Sequence, residues 1–113
     1  MLSYKNRLIK RKDFERIFKK GDTYKEKELI LRVKKNNLSD SRFGFIVSKK
    51  VSKKASTRNL IKRRLRAIII KKLKNIEKKQ DMAFIVLPGL ERRDFKELEN
   101  IVNRIFLKAK IKT

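Results

Sequence analysis

Between residues 29 and 76 the spacing of apolar side chains changes period, and a chain that does this must mix strands with helices. Leu29, Leu31 and Val33 alternate with Ile30, Arg32 and Lys34, so Glu28 to Lys35 is expected to be a strand with one buried and one mixed face. Phe43, Phe45 and Val47 share a face across Gly44 and Ile46, which makes Arg42 to Ser48 a second strand. The polar stretch Asn36 to Ser41 between them is turn-like, and the two strands are expected to pair as an antiparallel hairpin. From Thr57 to about Lys79 the period is helical. Ile61, Leu65, Ile68, Ile69, Leu73 and Ile76 form one apolar stripe there, with Thr57 the expected N-cap.

The flanking segments complete an α+β pattern. Arg11 to Lys20 is expected to be a short helix carrying Phe14, Ile17 and Phe18 on one face, closed by a left-handed cap at Gly21. Met82 to Leu87 is a compact apolar run stopped by Pro88 and Gly89, best accounted for as a buried strand. Glu91 to about Lys110 is a last amphipathic helix with Phe95, Leu98, Ile101, Val102, Ile105 and Phe106 facing inward. Phe43, Phe45, Phe84, Phe95 and Phe106 are assigned to the core. With no repeat or linker in sight, residues 1–113 form one domain in which helices pack on a small sheet.

Charge then narrows the partner. The 113 residues hold 35 Lys and Arg against 12 Asp and Glu, a formal charge of +23, which demands an anion: nucleic acid, an acidic membrane surface or an acidic protein. No acid lies between Asp40 and Glu77, while Arg42, Lys49, Lys50, Lys53, Lys54, Arg58, Lys62, Arg63, Arg64 and Arg66 all fall in that window. On the expected long helix Arg58, Lys62 and Arg66 stand at i, i+4 and i+8, one row, with Arg63 beside it and Arg64 turned further round. Like charges so spaced destabilise a free helix by some tenths of a kcal/mol per pair, a cost that bound phosphates would remove. A solvated basic face in a lysine-rich chain is the plainer account of the same row.

Catalysis by the polypeptide is not expected. With no His, the usual acid–base pair of metal-independent ribonucleases is missing, and with no Cys there is neither a disulfide nor a thiolate metal site. Asp13, Glu15, Asp22, Glu26 and Glu28 lie early and Glu91, Asp94, Glu97 and Glu99 late, without the convergence a two-metal nuclease needs. No catalytic residue, protein-bound metal, protein cofactor or small-molecule substrate is therefore assigned. The N-terminus lacks a signal-peptide pattern and no apolar run approaches the roughly 20 residues of a membrane span, so a soluble, cytoplasmic protein without a membrane partner is expected.

Two segments carry a resemblance. Arg42-Phe-Gly-Phe-Ile-Val-Ser-Lys-Lys50, followed by Arg58-Asn-Leu-Ile-Lys-Arg-Arg-Leu-Arg66, resembles the signature of the bacterial ribonuclease P protein, whose helical part is called the RNR motif. Leu8, Asp13-Phe14, Phe18 and Gly21 match the spacing of that family's first helix. The resemblance implies that Arg58, Asn59, Lys62, Arg63 and Arg66 contact a catalytic RNA, joined by Arg42, Ser48, Lys49, Lys50, Lys53 and Lys54 of the preceding strand and loop. It implies that Phe14 and Phe18 line a cleft for the single-stranded 5′ leader of precursor tRNA. The partners would thus be ribonuclease P RNA and precursor tRNA, with Mg2+ required by the RNA that performs the hydrolysis. The implied fold is an α-β-β-β-α-β-α sandwich, ribosomal-protein-S5-domain-2-like, with a left-handed βαβ crossover and an additional short strand near Thr23 and Tyr24.

The chain departs from the family pattern in places. A cleft aromatic usual in the second strand is Arg32 here, which could stack through its guanidinium plane or pair with phosphate. Ser52 stands where the family has Gly, in a loop one residue longer. Without the resemblance, Phe14 and Phe18 at i, i+4 would be read as core. A small ribosomal protein or general RNA chaperone would share the charge though not the linked motifs; a stand-alone nuclease and a membrane-surface protein are the other readings.

Overall fold

The computed structural model describes residues 2–76 and 79–112. In chain order it contains helix α1 (Arg11–Lys20), strands β1 (Asp22–Glu26), β2 (Leu29–Lys35) and β3 (Arg42–Ile46), helix α2 (Ala55–Lys72), strand β4 (Gln80–Val86) and helix α3 (Phe95–Lys108). Single 3-10 turns at Tyr4–Asn6 and Leu90–Arg92 precede α1 and α3. The order α-β-β-β-α-β-α is the expected one.

Strand pairing is not. The sheet runs β1-β2-β4-β3, so β4 separates the two strands expected to form a hairpin. It pairs antiparallel with β2 and parallel with β3. Six of the seven β4 residues are buried, on both faces, and a strand apolar on both faces belongs in the interior of a sheet. That demand overrides the local preference of β2 and β3 for each other. Parallel pairing of β3 and β4 in turn requires a crossover, which α2 supplies.

The two faces of the sheet are unequal. Leu29, Leu31, Phe43, Met82, Phe84 and Val86 join Leu65, Ile68, Ile69, Val102, Ile105 and Phe106 from α2 and α3 in the main core. On the opposite face α1 contributes Ile17, which packs with Leu8 and Ala83, Phe14 lying alongside. Ten residues of helix cover only part of that face, and Ile30, Ile46 and Ile85, aligned across three strands, stay half-buried. Phe43, Phe84 and Phe106 are buried as expected, whereas Phe45 and Phe95 pack at the margin of the core.

Helix ends differ from expectation for local reasons. Gly21 is not left-handed: its φ is −79°. A Cβ there would stand 2.5 Å from the Ile17 carbonyl oxygen and 3.1 Å from that of Val33, so close approach of backbone calls for glycine. Thr57 lies inside α2, whose N-cap position is Lys54 and carries no side-chain cap. The Ser52 hydroxyl instead accepts from the Lys54 N–H at 3.2 Å, turning the chain into the helix earlier. At its other end α2 closes at Lys72; of the longer expected span, residues 77–78 lie outside the described residues. Helix α3 starts at Phe95 because Asp94 and Glu97 form a reciprocal capping box, leaving Glu91 in the 3-10 turn.

Both outer strands of the sheet are partly covered by other segments. The Leu8 N–H donates to the Phe43 carbonyl at 2.9 Å beside an Arg7–Phe43 bridge on β3. At the far side Lys108 donates from Nζ to the Lys25 carbonyl of β1 at 2.8 Å.

Candidate nucleic-acid interface

Among the described residues, the ion pairs leave the loop after β3 and the first three turns of α2 untouched. Glu26 pairs with Arg104 and Lys108, Glu28 with Arg93, Glu97 also with Arg93, and Glu99 with Lys71. Arg11 pairs with Glu15, and Arg42 with Asp13 and Asp81. Among the described residues no ion pair involves Lys49, Lys50, Lys53, Lys54, Arg58, Lys62, Arg63 or Arg66. Their field is therefore uncompensated from within, and an external anion is its natural counterion.

The loop and the helix form one cationic body. Ser48, Lys49, Lys50, Lys53 and Lys54 are exposed, as are Asn59 and Arg63 on α2. The Ser48 hydroxyl accepts from the Lys50 N–H at 3.3 Å, and Arg58 donates from Nη1 to the Ser52 carbonyl at 2.9 Å. That bond ties the first turn of α2 to the loop and spends part of the Arg58 guanidinium inside the fold. Arg58, Lys62 and Arg66 are each half-buried along the flank of the apolar stripe. Arg66 lies 6.0 Å over the Phe45 ring, at the outer range of a cation–π contact.

A groove of about 420 Å3 joins this ridge to α1. Lys62 and Arg66 stand along it with Phe14, Gly44, Leu8 and Arg7. Gly44 is a requirement of that geometry, because an added Cβ would meet the Phe14 ring at 2.5 Å. Phe14 is half-buried and Phe18, with its ring centroid 6.3 Å away, is 39% exposed. The packing therefore sets an aromatic ring and two cations around one trough, an arrangement suited to a base and its flanking phosphates.

Two expected interface residues turn inward. Arg42 donates to Asp81 from Nε at 2.8 Å and Nη2 at 2.6 Å, and to Asp13 from Nη1 at 3.2 Å. Its guanidinium is held charged chiefly by the hydrogen bonds to Asp81. Asp81, only 2% exposed, also accepts from Asn36 at 2.8 Å. Arg32 is a clasp. Its Nη2 reaches the carbonyl oxygens of Ile17, Phe18 and Gly21 at 3.3, 2.7 and 3.1 Å, sharing the first with the Gly21 N–H, and so closes the C-terminal end of α1. The same guanidinium lies 5.9 Å from the centroid of Phe18, so it faces an aromatic of this chain rather than standing free in place of one.

Sequence reasoning missed Arg7, which lines the groove, and the buried polar set Asn6, Asn36, Ser41, Gln80 and Asp81. For Asp81 a signal existed: an acid opening an apolar strand is a buried charge in need of a partner. Among the described residues no group of three or more acids gathers as a metal site, and no helix is long and apolar enough to cross a membrane.

Comparison with known proteins places this geometry among relatives. A family model described as Ribonuclease P matches residues 2–110. The ribonuclease P protein component of Pseudanabaena sp. (strain PCC 6903) is 38% identical over 112 residues, covering 98% of this chain and 97% of that one. That of Syntrophomonas wolfei is 33% identical over 109 residues, covering 96% and 91%. Among solved structures, the RNase P protein of Staphylococcus aureus superposes with a TM-score of 0.89 at 27% identity, covering 96% of this chain and 98% of that one. The Thermotoga maritima RNase P protein gives 0.79 at 32% identity, covering 88% and 94%.

Proposed function

This chain belongs to the bacterial ribonuclease P protein family, and we propose that it acts as the protein subunit of that ribonucleoprotein. In this role it binds the catalytic RNA and the 5′ leader of precursor tRNA in the cytoplasm, and promotes hydrolysis of one phosphodiester to leave a 5′-phosphate on the mature tRNA. The observation that carries the reading is the trough in which Phe14 faces Lys62 and Arg66, backed by Lys49, Lys50, Lys53, Lys54, Arg58 and Arg63, none of which forms an ion pair among the described residues.

The division of labour follows from the side chains. A polypeptide without His supplies no imidazole for proton transfer, so the chemical step falls to the RNA and the Mg2+ it requires. The protein supplies affinity. Lys49, Lys50, Lys53 and Lys54, with Arg58, Asn59 and Arg63, offset phosphate repulsion between enzyme RNA and substrate. Lys62 and Arg66 hold the leader backbone while Phe14 and Phe18 present ring faces to unpaired bases.

Rescue of cleavage is the test. Purified protein added to the catalytic RNA at low Mg2+ should restore cleavage of precursor tRNA that the RNA performs poorly alone. Cleavage that does not respond to the protein, under salt where both RNAs bind it, sinks the assignment and leaves a general RNA-binding protein.

A further inference from the structure

A second hollow, also about 420 Å3, opens between the N-terminal 3-10 turn, the start of α1 and the loop 36–41. Tyr4, Ile9 and Leu38 line it while remaining 75%, 53% and 46% exposed. Large apolar side chains scattered singly over a surface are ordinary; three converging on one hollow mark a binding surface.

Charge says what kind. Lys5, Arg7 and Lys10 line the same hollow, and none of them forms an ion pair among the described residues. Arg42 and Asp13, also on its wall, pair at 3.2 Å, and because Arg42 is shared with Asp81 the three carry one net negative charge. Against Lys5, Arg7 and Lys10, of which Arg7 also donates from Nε to the Leu2 carbonyl at 3.0 Å, stand that charge and the carboxylate of Asp40, so the lining stays net positive. An anion with a flat apolar part fits this set, and an unpaired nucleotide has both: a base face to lie on the Tyr4 ring and a phosphate for the cations. Ser39 and Asp40 add a hydroxyl and a carboxylate at the edge, where a base carries its donors.

The walls are built in advance. Asn6, 5% exposed, donates to the Ser41 carbonyl at 2.8 Å, pinning the N-terminal turn to the loop. Asn36 donates to the Asp40 carbonyl at 3.2 Å and accepts from the Leu38 N–H at 2.9 Å, holding Leu38 in place. A ligand entering there pays little ordering entropy. The hollow also shares Arg7 and Ile9 with the trough beside Lys62 and Arg66, so the two are continuous along the surface.

We propose that this hollow is a second nucleotide subsite, which takes an unpaired base of bound RNA on the ring of Tyr4 with its phosphate against Lys5, Arg7 and Lys10. The assignment rests on the RNA-binding role proposed above.

The chain has no tryptophan, so Tyr4→Trp puts the molecule's one indole on the rim. Hexa-adenylate should quench that indole saturably, whereas an RNA duplex of equal phosphate concentration should not. Tyr4→Ala should weaken hexa-adenylate binding by about 5- to 100-fold, the range for losing one stacked base, and leave duplex binding unchanged. Fluorescence anisotropy of labelled RNA reports binding independently of the indole. If both RNAs bind and the indole answers equally to both or to neither, the subsite is overturned while RNA binding stands. If neither RNA binds, the RNA-binding role itself fails. Quenching by precursor but not mature tRNA assigns the base to the leader, quenching by the catalytic RNA assigns it to that RNA, and quenching by none of them overturns the subsite.

Discussion

Arg42 and Lys62 both stand in the acid-free window of the sequence, yet folding gives them opposite duties. Arg42 is bound to acids 29 and 39 residues away in the chain, partners that no local pattern could announce. Removing one member of a buried pair strands the other, so Arg42→Ala should cost about 3 to 5 kcal/mol, read as a lower urea midpoint at unchanged slope. Lys62→Ala, with no internal partner, should stay within about 0.5 kcal/mol of the parent. Equal losses in the two variants would dissolve the distinction. Phe14 belongs with Lys62: Phe14→Ala should weaken binding of precursor tRNA more than of mature tRNA, by about 5- to 100-fold for one stacked base. An equal loss for both tRNAs would remove Phe14 from leader binding. Arg32 shows what sequence comparison alone obscures, because a cation in place of an aromatic is bound to two carbonyls of α1 and that of Gly21 just beyond it.

At the scale of elements, periodicity served well where an element's own residues decide its form. Helix α1 was expected over Arg11 to Lys20 and occupies that span, since its stripe and its length are local, whereas the approach of the Val33 carbonyl that calls for glycine at position 21 comes from β2. The β2–β3 pairing failed because strand order depends on burial of β4, some 35 residues downstream of β3, and alternation does not name a partner. The site was legible to a similar extent: the cationic row could be placed on α2, but not the trough that sets it opposite Phe14. The β1–β2 hairpin is tied to the start of α3 by Arg93, which donates to Glu28 at 3.0 and 2.9 Å. Those hydrogen bonds hold Glu28 below its ordinary pKa of 4.5. A depressed carboxyl stabilises the fold above its ordinary pKa, and that contribution is lost as pH falls through the lowered value. Arg93→Ala should therefore be less stable than the parent at pH 7, and the gap should narrow below about pH 4.5. A gap that stays constant in urea midpoints from pH 7 to 3 would contradict the linkage.

Over the whole molecule, most of the ion-paired acids lie on the α3 and β1 side or at Arg42, and among the described residues none pairs with the nine Lys and Arg from Lys49 to Arg66. Binding through such a surface releases counterions, so log affinity should fall with log salt at a slope of about −4 to −5 if some six phosphates are engaged. Replacing Arg58, Lys62 and Arg66 together by Ala should make that slope shallower by about 2 to 3. An unchanged slope, with circular dichroism showing an intact fold, would refute their acting as a row. The same molecule must also exist alone before it meets RNA. An open sheet invites its own copies to add strands along its margins, and here neither margin is left bare. The Leu8 amide occupies a carbonyl on β3 and the Lys108 ammonium one on β1, each with a cation close by to repel a second copy. Trimming the first eight residues would thus do more than delete a tail: it would bare a hydrogen-bonding strand and expose the unbound protein to aggregation.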